Sequence, residues 1–106
     1  MKIGLVVYSC DPETVWNAFR FGLTALKHDD EVKVFLLGKG VESEKIASPS
    51  FPVKETMESF VEFGGKILAC GTCLKQRQAE GTELCPISTM ADLYELVKES
   101  DRVLTF

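Results

Sequence analysis

The chain has 106 residues, of which 45% are hydrophobic and 26% charged, and its formal net charge is −4. This length suits one domain and leaves no room for a second, and the composition is that of a soluble globular protein. No apolar run approaches the roughly 20 residues of a membrane-spanning helix, and no segment gathers a basic stripe for nucleic acid. We therefore expect a single domain over residues 1–106, with neither a membrane nor a nucleic acid as partner.

The first residues have the charged and apolar regions of a signal peptide, from Lys2 to Tyr8. However, Asp11 and Pro12 stand where a small-residue cleavage site would lie, so residues 2–8 are better interpreted as a first strand. This predicts a cytoplasmic, reducing location, in which structural disulfide bonds are disfavoured.

Strand-like and helix-like segments alternate along the rest of the chain. Asp11 is a typical helix N-cap, and Pro12 suits the first helical position. The segments predicted after the first strand are, in order, a helix over 12–27, a strand over 32–37, an exposed loop over 42–52, a helix from Val53 to Gly64-Gly65, a strand over 66–70, a short helix over 72–79, a brief strand over 84–87, a helix capped by Thr89, and a strand over 103–106. This alternation predicts a three-layer α/β fold with an open, mostly parallel sheet of about five strands and helices on both faces.

Two of these helices carry apolar residues whose placement is predicted from their spacing. In the first helix, apolar residues cover about half of the circumference. They are Val15, Trp16, Ala18, Phe19, Leu23, Ala25 and Leu26, and Phe21 lies outside that arc. Because so small a domain has little core, we expect Trp and Phe side chains of this helix to form an exposed protein interface. In the last helix, the predicted inward stripe is Met90, Leu93, Tyr94 and Val97.

The most informative stretch is the run Ala69-Cys70-Gly71-Thr72-Cys73-Leu74-Lys75. It places Cys70 and Cys73 where a strand ends and a helix begins. The unpaired N–H groups and the positive dipole end of a helix favour the thiolate, which is the form that attacks, carries sulfur or binds metal. We expect the fold to present Cys70 at the edge of the site, with Cys73 a turn deeper.

Two further cysteines are expected near the same edge of the sheet. In open parallel sheets, sites lie beyond the carboxyl ends of the strands, where the strand order reverses. If the order is flavodoxin-like, the first and third strands are neighbours there. Cys10 follows the first strand, Cys70 ends the third, and Cys85 lies in or just after the fourth. Three segments would then bring cysteines to one edge.

These features resemble the DsrE/TusD family of small sulfur-relay proteins. The resemblance rests on Tyr8-Ser9-Cys10-Asp11-Pro12-Glu13 at the first helix, Cys70 at the end of the third strand, and the terminal helix–strand pair. The cysteine turn and Glu83-Leu84-Cys85-Pro86 are more similar to a short DsrE-like subgroup than to the relay subunits. Over nearly the whole chain, the resemblance implies a flavodoxin-like fold, assembly into homotrimers or homohexamers, and a persulfide on one cysteine. That cysteine maps onto Cys70, whereas Cys73 and Cys85 are departures from the relay subunits.

Three functions remain open for the cysteines. In the first, a sulfurtransferase-like carrier, Cys70 accepts sulfane sulfur from a donor protein and passes it to an acceptor, with Cys73 as a resolving thiol or a bystander. The second is a dithiol–disulfide redox protein, because a C-x-x-C at a helix start is typical of thioredoxin-like proteins. Unlike thioredoxins, however, this chain has no tryptophan directly before the first cysteine of the motif. The third is a non-catalytic oligomeric module with structural or metal-binding cysteines. The candidate catalytic residues are Cys70 and Cys73. We expect no cofactor, because no phosphate-binding fingerprint follows the first strand, and no metal, because Cys10 and Cys85 are isolated rather than paired in a second C-x-x-C.

Overall fold

Strands and helices alternate along the chain in the computed structural model, which describes all of residues 1–106. The strands are β1 (Lys2–Val7), β2 (Glu31–Leu36), β3 (Lys66–Cys70), β4 (Ile87–Ser88) and β5 (Arg102–Thr105). The helices are α1 (Pro12–Lys27), α2 (Val53–Glu62), α3 (Gly71–Gln76) and α4 (Met90–Glu99), with a 3-10 helix over Gly38–Lys45. The predicted α/β fold is confirmed. None of the helices combines the length and the apolar character that crossing a bilayer requires.

The five strands form one open sheet in which every neighbouring pair is parallel, in the order β4-β3-β2-β1-β5. The expectation that the first and third strands are neighbours is wrong, because β2 lies between them. The connections from β1 to β2, from β2 to β3 and from β3 to β4 each lead to the next strand in the same direction across the sheet. The connection from β4 to β5 instead crosses back and places β5 beside β1. With right-handed crossovers, this puts α1, α2 and α3 on one face and α4 on the other. The order therefore reverses between β1 and β5.

The main core lies between the sheet and the face that carries α1 and α2. Alternate strand residues point into it because the side-chain period of a strand is two. The Phe19 and Phe60 rings meet edge to face, with their centroids 5.5 Å apart. Gly22 and Gly65 lie against the Phe60 ring, where an added Cβ would come within 2.8 Å and 2.3 Å of ring carbons. The two glycines thus let the helices and the strand approach the ring closely.

A smaller core on the opposite face is made by Phe35, Cys70 and Leu96 under α4. Leu96 packs onto β1 at Gly4, where an added Cβ would lie 2.4 Å from a Leu96 methyl carbon. Leu93 is half-buried beside the same cluster. The side of α4 that faces the sheet is therefore the Leu93–Leu96 side.

The predicted inward stripe of α4 is wrong for three of its four members. Met90, Tyr94 and Val97 are 60%, 64% and 48% exposed. Their spacing is that of one helix face, as predicted, but this face is turned away from the sheet. The spacing of apolar residues does not show which of two neighbouring faces of α4 packs on the sheet, because Leu93 and Leu96 form an apolar face as well.

The prediction that α1 exposes its Trp16 side chain is also wrong, while the interface itself stays a prediction. Trp16 is half-buried, because the segment before α2 places Phe51 against it with ring centroids 5.3 Å apart. The Arg20 guanidinium covers the ring at 4.3 Å from its centroid. Phe21 alone keeps an exposed fraction of 41% among the large apolar side chains of this helix.

The loop predicted over 42–52 begins instead as part of the 3-10 helix, which lies close against the end of β1. An added Cβ on Gly40 would lie 1.9 Å from the Val7 carbonyl oxygen, so only glycine permits this approach. Ser43 is fully buried and donates a hydrogen bond to the Gly40 carbonyl at 2.6 Å. The 3-10 helix is thereby packed against the carboxyl end of β1.

Candidate functional site

Cys70 ends β3 and stands at the N-cap position of α3, as the sequence predicts. Its side chain packs with Phe35 and Leu96, and the residue is only 3% exposed. The expectation that the fold presents Cys70 at an open edge is therefore wrong. The physical reason is strand alternation: Ala69 points into the main core, so Cys70 points to the opposite face, beneath α4.

Cys73 lies one helical turn further and is the more accessible of the two thiols, being half-buried. The Gly38 N–H donates a hydrogen bond to its sulfur at 3.2 Å, across the gap between the 3-10 helix and α3. Arg77 donates to the Cys73 carbonyl oxygen at 3.1 Å. The order of accessibility is the reverse of the expected one, with Cys73 outside and Cys70 inside.

Burial raises the pKa of the Cys73 thiol, and the contact with the Cys70 thiol raises it further, while the Gly38 N–H opposes both. The expectation that a helix start favours the thiolate is therefore wrong for Cys73. Helix α3 spans only six residues, so its dipole is short, and desolvation outweighs it. At neutral pH Cys73 is therefore a protonated thiol in contact with the Cys70 side chain.

A shallow cavity of about 360 Å³ borders the cysteine turn on the α4 side. Gly71, Thr72 and Lys75 line it from α3, and residues of β4 and the start of α4 line it from the other side. An added Cβ on Gly71 would lie 3.0 Å from the Ser88 carbonyl oxygen. The space beside this glycine is therefore filled by the backbone of β4.

Cys10 and Cys85 line a different cavity, of about 810 Å³, together with Ala69. The sequence places these cysteines near the same edge as Cys70, but the structure divides them between the two faces of the sheet. Cys85 also precedes β4 rather than lying in or after it. A Cys₄ zinc site needs four thiols around one ion, whereas these thiols lie on opposite faces of the sheet. No group of three or more His, Cys, Asp or Glu side chains is arranged to hold a metal ion.

Cys85 is held in place by its surroundings. It is 5% exposed, and its N–H donates to the Thr82 hydroxyl at 3.0 Å. Burial, reinforced by the Glu44 carboxylate that accepts from the thiol, raises the Cys85 pKa to about 12. Thr82 donates to the same carboxylate at 2.5 Å. Cys85 therefore ties the loop after α3 to the 3-10 helix and stays protonated.

The family profile of DsrE/DsrF-like proteins matches residues 1–106. This chain belongs to the DsrE/DsrF-like family. It is similar to MJ0989 of Methanocaldococcus jannaschii, with 39% identity over 100 residues that cover 89% of this chain and 88% of that protein. It is also similar to MK0008 of Methanopyrus kandleri, with 41% identity over 103 residues that cover 89% and 83%. Both relatives are described as uncharacterised.

The fold of this DsrE/DsrF-like chain is similar to the crystal structure of the ychN protein from E. coli, with a TM-score of 0.89. The alignment covers 100% of this chain and 99% of that one at 19% identity, a level at which the likeness shows the fold alone. Family membership suggests an involvement in sulfur relay.

Gly38 is a residue of the site that the sequence analysis did not identify. Its φ of +55° lies in the left-handed region that favours glycine, and this turn directs its N–H towards α3. A Gly-x-Gly directly after a strand is the local signal for such a turn. Nothing in the sequence, however, connects Gly38 with Cys73, which lies 35 residues away.

Proposed function

We propose that this chain is a sulfur carrier that holds sulfane sulfur as a persulfide on Cys70. The observation that carries the proposal is the thiol pair at the end of β3, with a backbone N–H of Gly38 directed at the Cys73 sulfur. A hydrogen-bond donor at this point stabilises the negative charge that develops on sulfur when an S–S bond forms or breaks. Membership of the DsrE/DsrF-like family supports the same chemistry.

The unequal burial of the two thiols suggests the route that sulfur takes. Cys73, the accessible thiol, attacks the outer sulfur of a donor persulfide, and the donor leaves as a thiol. Cys70 then attacks that outer sulfur on Cys73, so the persulfide moves to Cys70 and Cys73 returns to the thiol form. One S–S bond forms and one breaks in each step. Phe35 and Leu96 shield the product from water.

A row of exposed apolar side chains beside this site is the surface on which we place partner contacts. This α4 patch comprises Ile87, Met90, Tyr94 and Val97, which are 58%, 60%, 64% and 48% exposed. Ile87 and Met90 also line the cavity at the cysteine turn. Exposed apolar patches rich in aromatic residues and methionine mark protein interfaces. We propose that a second copy of the chain covers the patch in a homotrimer or homohexamer, next to the entrance through which sulfur is exchanged.

Intact-mass measurement of the reduced protein after incubation with a sulfane donor tests the proposed chemistry. We expect a gain of one sulfur atom that peptide mapping places on Cys70 and that Cys10→Ser and Cys85→Ser leave in place. In Cys70→Ser the sulfur is expected to remain on Cys73, and in a Cys70→Ser/Cys73→Ser variant the gain is expected to be abolished. Cys73→Ser is expected to slow the gain without lowering its final extent, because Cys70 is reached less readily without the accessible thiol.

The same measurement separates the alternatives. A loss of two hydrogen atoms, mapped to a Cys70–Cys73 disulfide, would favour a dithiol–disulfide redox protein, since these thiols are in contact. A sulfur that maps to a cysteine other than Cys70 in the wild-type chain, or no change of mass with any donor, would contradict the proposed carrier. The second of these results would favour a non-catalytic module.

A further inference from the structure

The cavity of about 810 Å³ on the α1 side of the sheet is lined by neither cysteine of the Cys70–Cys73 turn. Its lining comes from the segment between β1 and α1, the 3-10 helix, α2, β3, α3 and the loop that follows α3. Pockets for small molecules commonly have volumes of about 300–1,000 Å³, so this one can hold a ligand of appreciable size. It is therefore a candidate site separate from the cysteine turn.

The cavity contains one thiol that is free to react. Of its two cysteines, Cys85 is buried and donates to the Glu44 carboxylate, which leaves it protonated at neutral pH. Cys10 is half-buried, unpaired in any disulfide, and stands directly before the N-cap of α1. A ligand that reacts with a thiol in this cavity therefore meets Cys10.

The charges around the cavity favour a ligand that carries both signs. Three basic and three acidic side chains line it, so it has no net charge to repel either kind of group. Lys45 and Glu80 form no ion pair with the chain, and each is available to an oppositely charged group of a ligand. The other four are paired, as Arg77–Glu42 at 2.8 Å and as the looser Lys54–Glu44 at 3.9 Å.

We propose that this cavity binds a small zwitterionic disulfide, of the class formed by two thiol-bearing amino acids, and that Cys10 exchanges with its S–S bond. The Cys10 thiolate attacks one sulfur, the ligand's S–S bond breaks, and a new S–S bond joins Cys10 to half of the ligand. The other half leaves as a thiolate and takes up the proton that Cys10 lost. Cys10 is thereby oxidised and the departing half is reduced.

The experiment compares three disulfides on the full chain. Cystine carries both charges, cystamine carries only ammonium groups, and bis(2-hydroxyethyl) disulfide carries none. Adduct formation at Cys10 is followed by intact mass and peptide mapping, and each rate is divided by that of a short unfolded peptide containing one cysteine. We expect the normalised rate for cystine to exceed that for the neutral disulfide by about tenfold, as two modest ion pairs provide.

Variants of the unpaired charges test whether the cavity supplies that preference. Lys45→Gln and Glu80→Gln are each expected to lower the normalised rate for cystine by about threefold and to leave the neutral disulfide unchanged. Lys39→Gln and Glu83→Gln are matched controls, because they lie on the same segments, are exposed, and do not line the cavity.

Equal normalised rates for all three disulfides would overturn the proposal, and so would an adduct that maps to another cysteine. An equal effect of Lys39→Gln and Lys45→Gln would show a general effect of charge and would overturn it too. Repeating the comparison in a Cys70→Ser/Cys73→Ser variant keeps the result independent of the persulfide chemistry at the turn. Since the wild-type chain is mapped as well, the outcome does not depend on the folding of that variant.

Discussion

Cys85→Ala is expected to remove a large part of the alkaline destabilisation of this protein. In the folded chain the Cys85 thiol is buried and donates to Glu44, which raises its pKa from 9.0 to about 12. In the unfolded chain the same thiol ionises near its ordinary pKa. Between these two values the folded state binds the proton more tightly, so the contribution of this thiol to stability is fully present below about pH 9 and is lost as the pH rises towards about 12.

The magnitude follows from the difference between the two pKa values. Each pKa unit corresponds to about 1.36 kcal/mol, so the complete loss amounts to at most about 4 kcal/mol. That is a large share of the roughly 5–15 kcal/mol by which domains are stable. Within the window, the slope from this thiol alone is about 1.4 kcal/mol per pH unit.

The assay is urea unfolding followed by circular dichroism over a series of pH values from neutral into the alkaline window. The slope of unfolding free energy against pH is compared, rather than its absolute value, because the alanine also leaves a small void at every pH. Cys10→Ala, which removes the other thiol of the same cavity, is the matched control. Identical slopes for wild type and Cys85→Ala would refute the reasoning, as would equal alkylation rates of Cys85 and Cys10 in the native protein.

Two further predictions concern the packing of the 3-10 helix against β1 and the proposed interface. Gly40→Ala is expected to destabilise the chain by about 3 kcal/mol or more, because its Cβ would lie 1.9 Å from the Val7 carbonyl oxygen and backbone would have to move. Thermal unfolding measures this loss. Tyr94→Glu is expected to reduce the assembly to monomers, because it places a charge in the centre of the α4 patch, and light scattering coupled to size-exclusion chromatography reports the mass.

Each of these two variants has a neighbouring control. Lys39→Ala changes an exposed residue of the 3-10 helix and is expected to alter stability by no more than about 0.5 kcal/mol. Glu95→Ala changes an exposed residue of α4 outside the patch and is expected to leave the mass of the assembly unchanged. A Gly40→Ala chain as stable as Lys39→Ala would contradict the close approach at Val7. A monomeric wild-type chain, or an unchanged mass for Tyr94→Glu, would contradict the interface.

Local signals in the sequence account for the elements that were predicted well. Asp11 accepts a hydrogen bond from the Thr14 N–H at 3.0 Å, as an N-cap should, and α1 has the predicted bounds. The apolar run before the cysteine turn gives β3 its predicted bounds as well. These features depend on neighbours a few residues apart, so the sequence contains all the information that decides them.

The errors concern choices between surfaces that the sequence makes equally plausible. The small size of the domain predicts that Trp16 is exposed, yet Phe51, which lies 35 residues away in the sequence, packs against it. Helix α4 carries apolar residues on two neighbouring faces, and Leu96 packs on the sheet at Gly4, where there is no Cβ to block it. Contacts between distant segments decided both cases.

The sequence by itself determined that this is an α/β protein with a C-x-x-C turn at the end of a parallel strand, because those features follow from apolar periodicity and capping residues. Only the tertiary structure decided the strand order, and with it the face to which each cysteine belongs. Since neighbouring residues of a strand point to opposite faces, Ala69 opens onto the cavity with Cys10 and Cys85, while Cys70 packs beneath α4. The docking of Leu96 on that face left Cys73 as the accessible thiol of the turn.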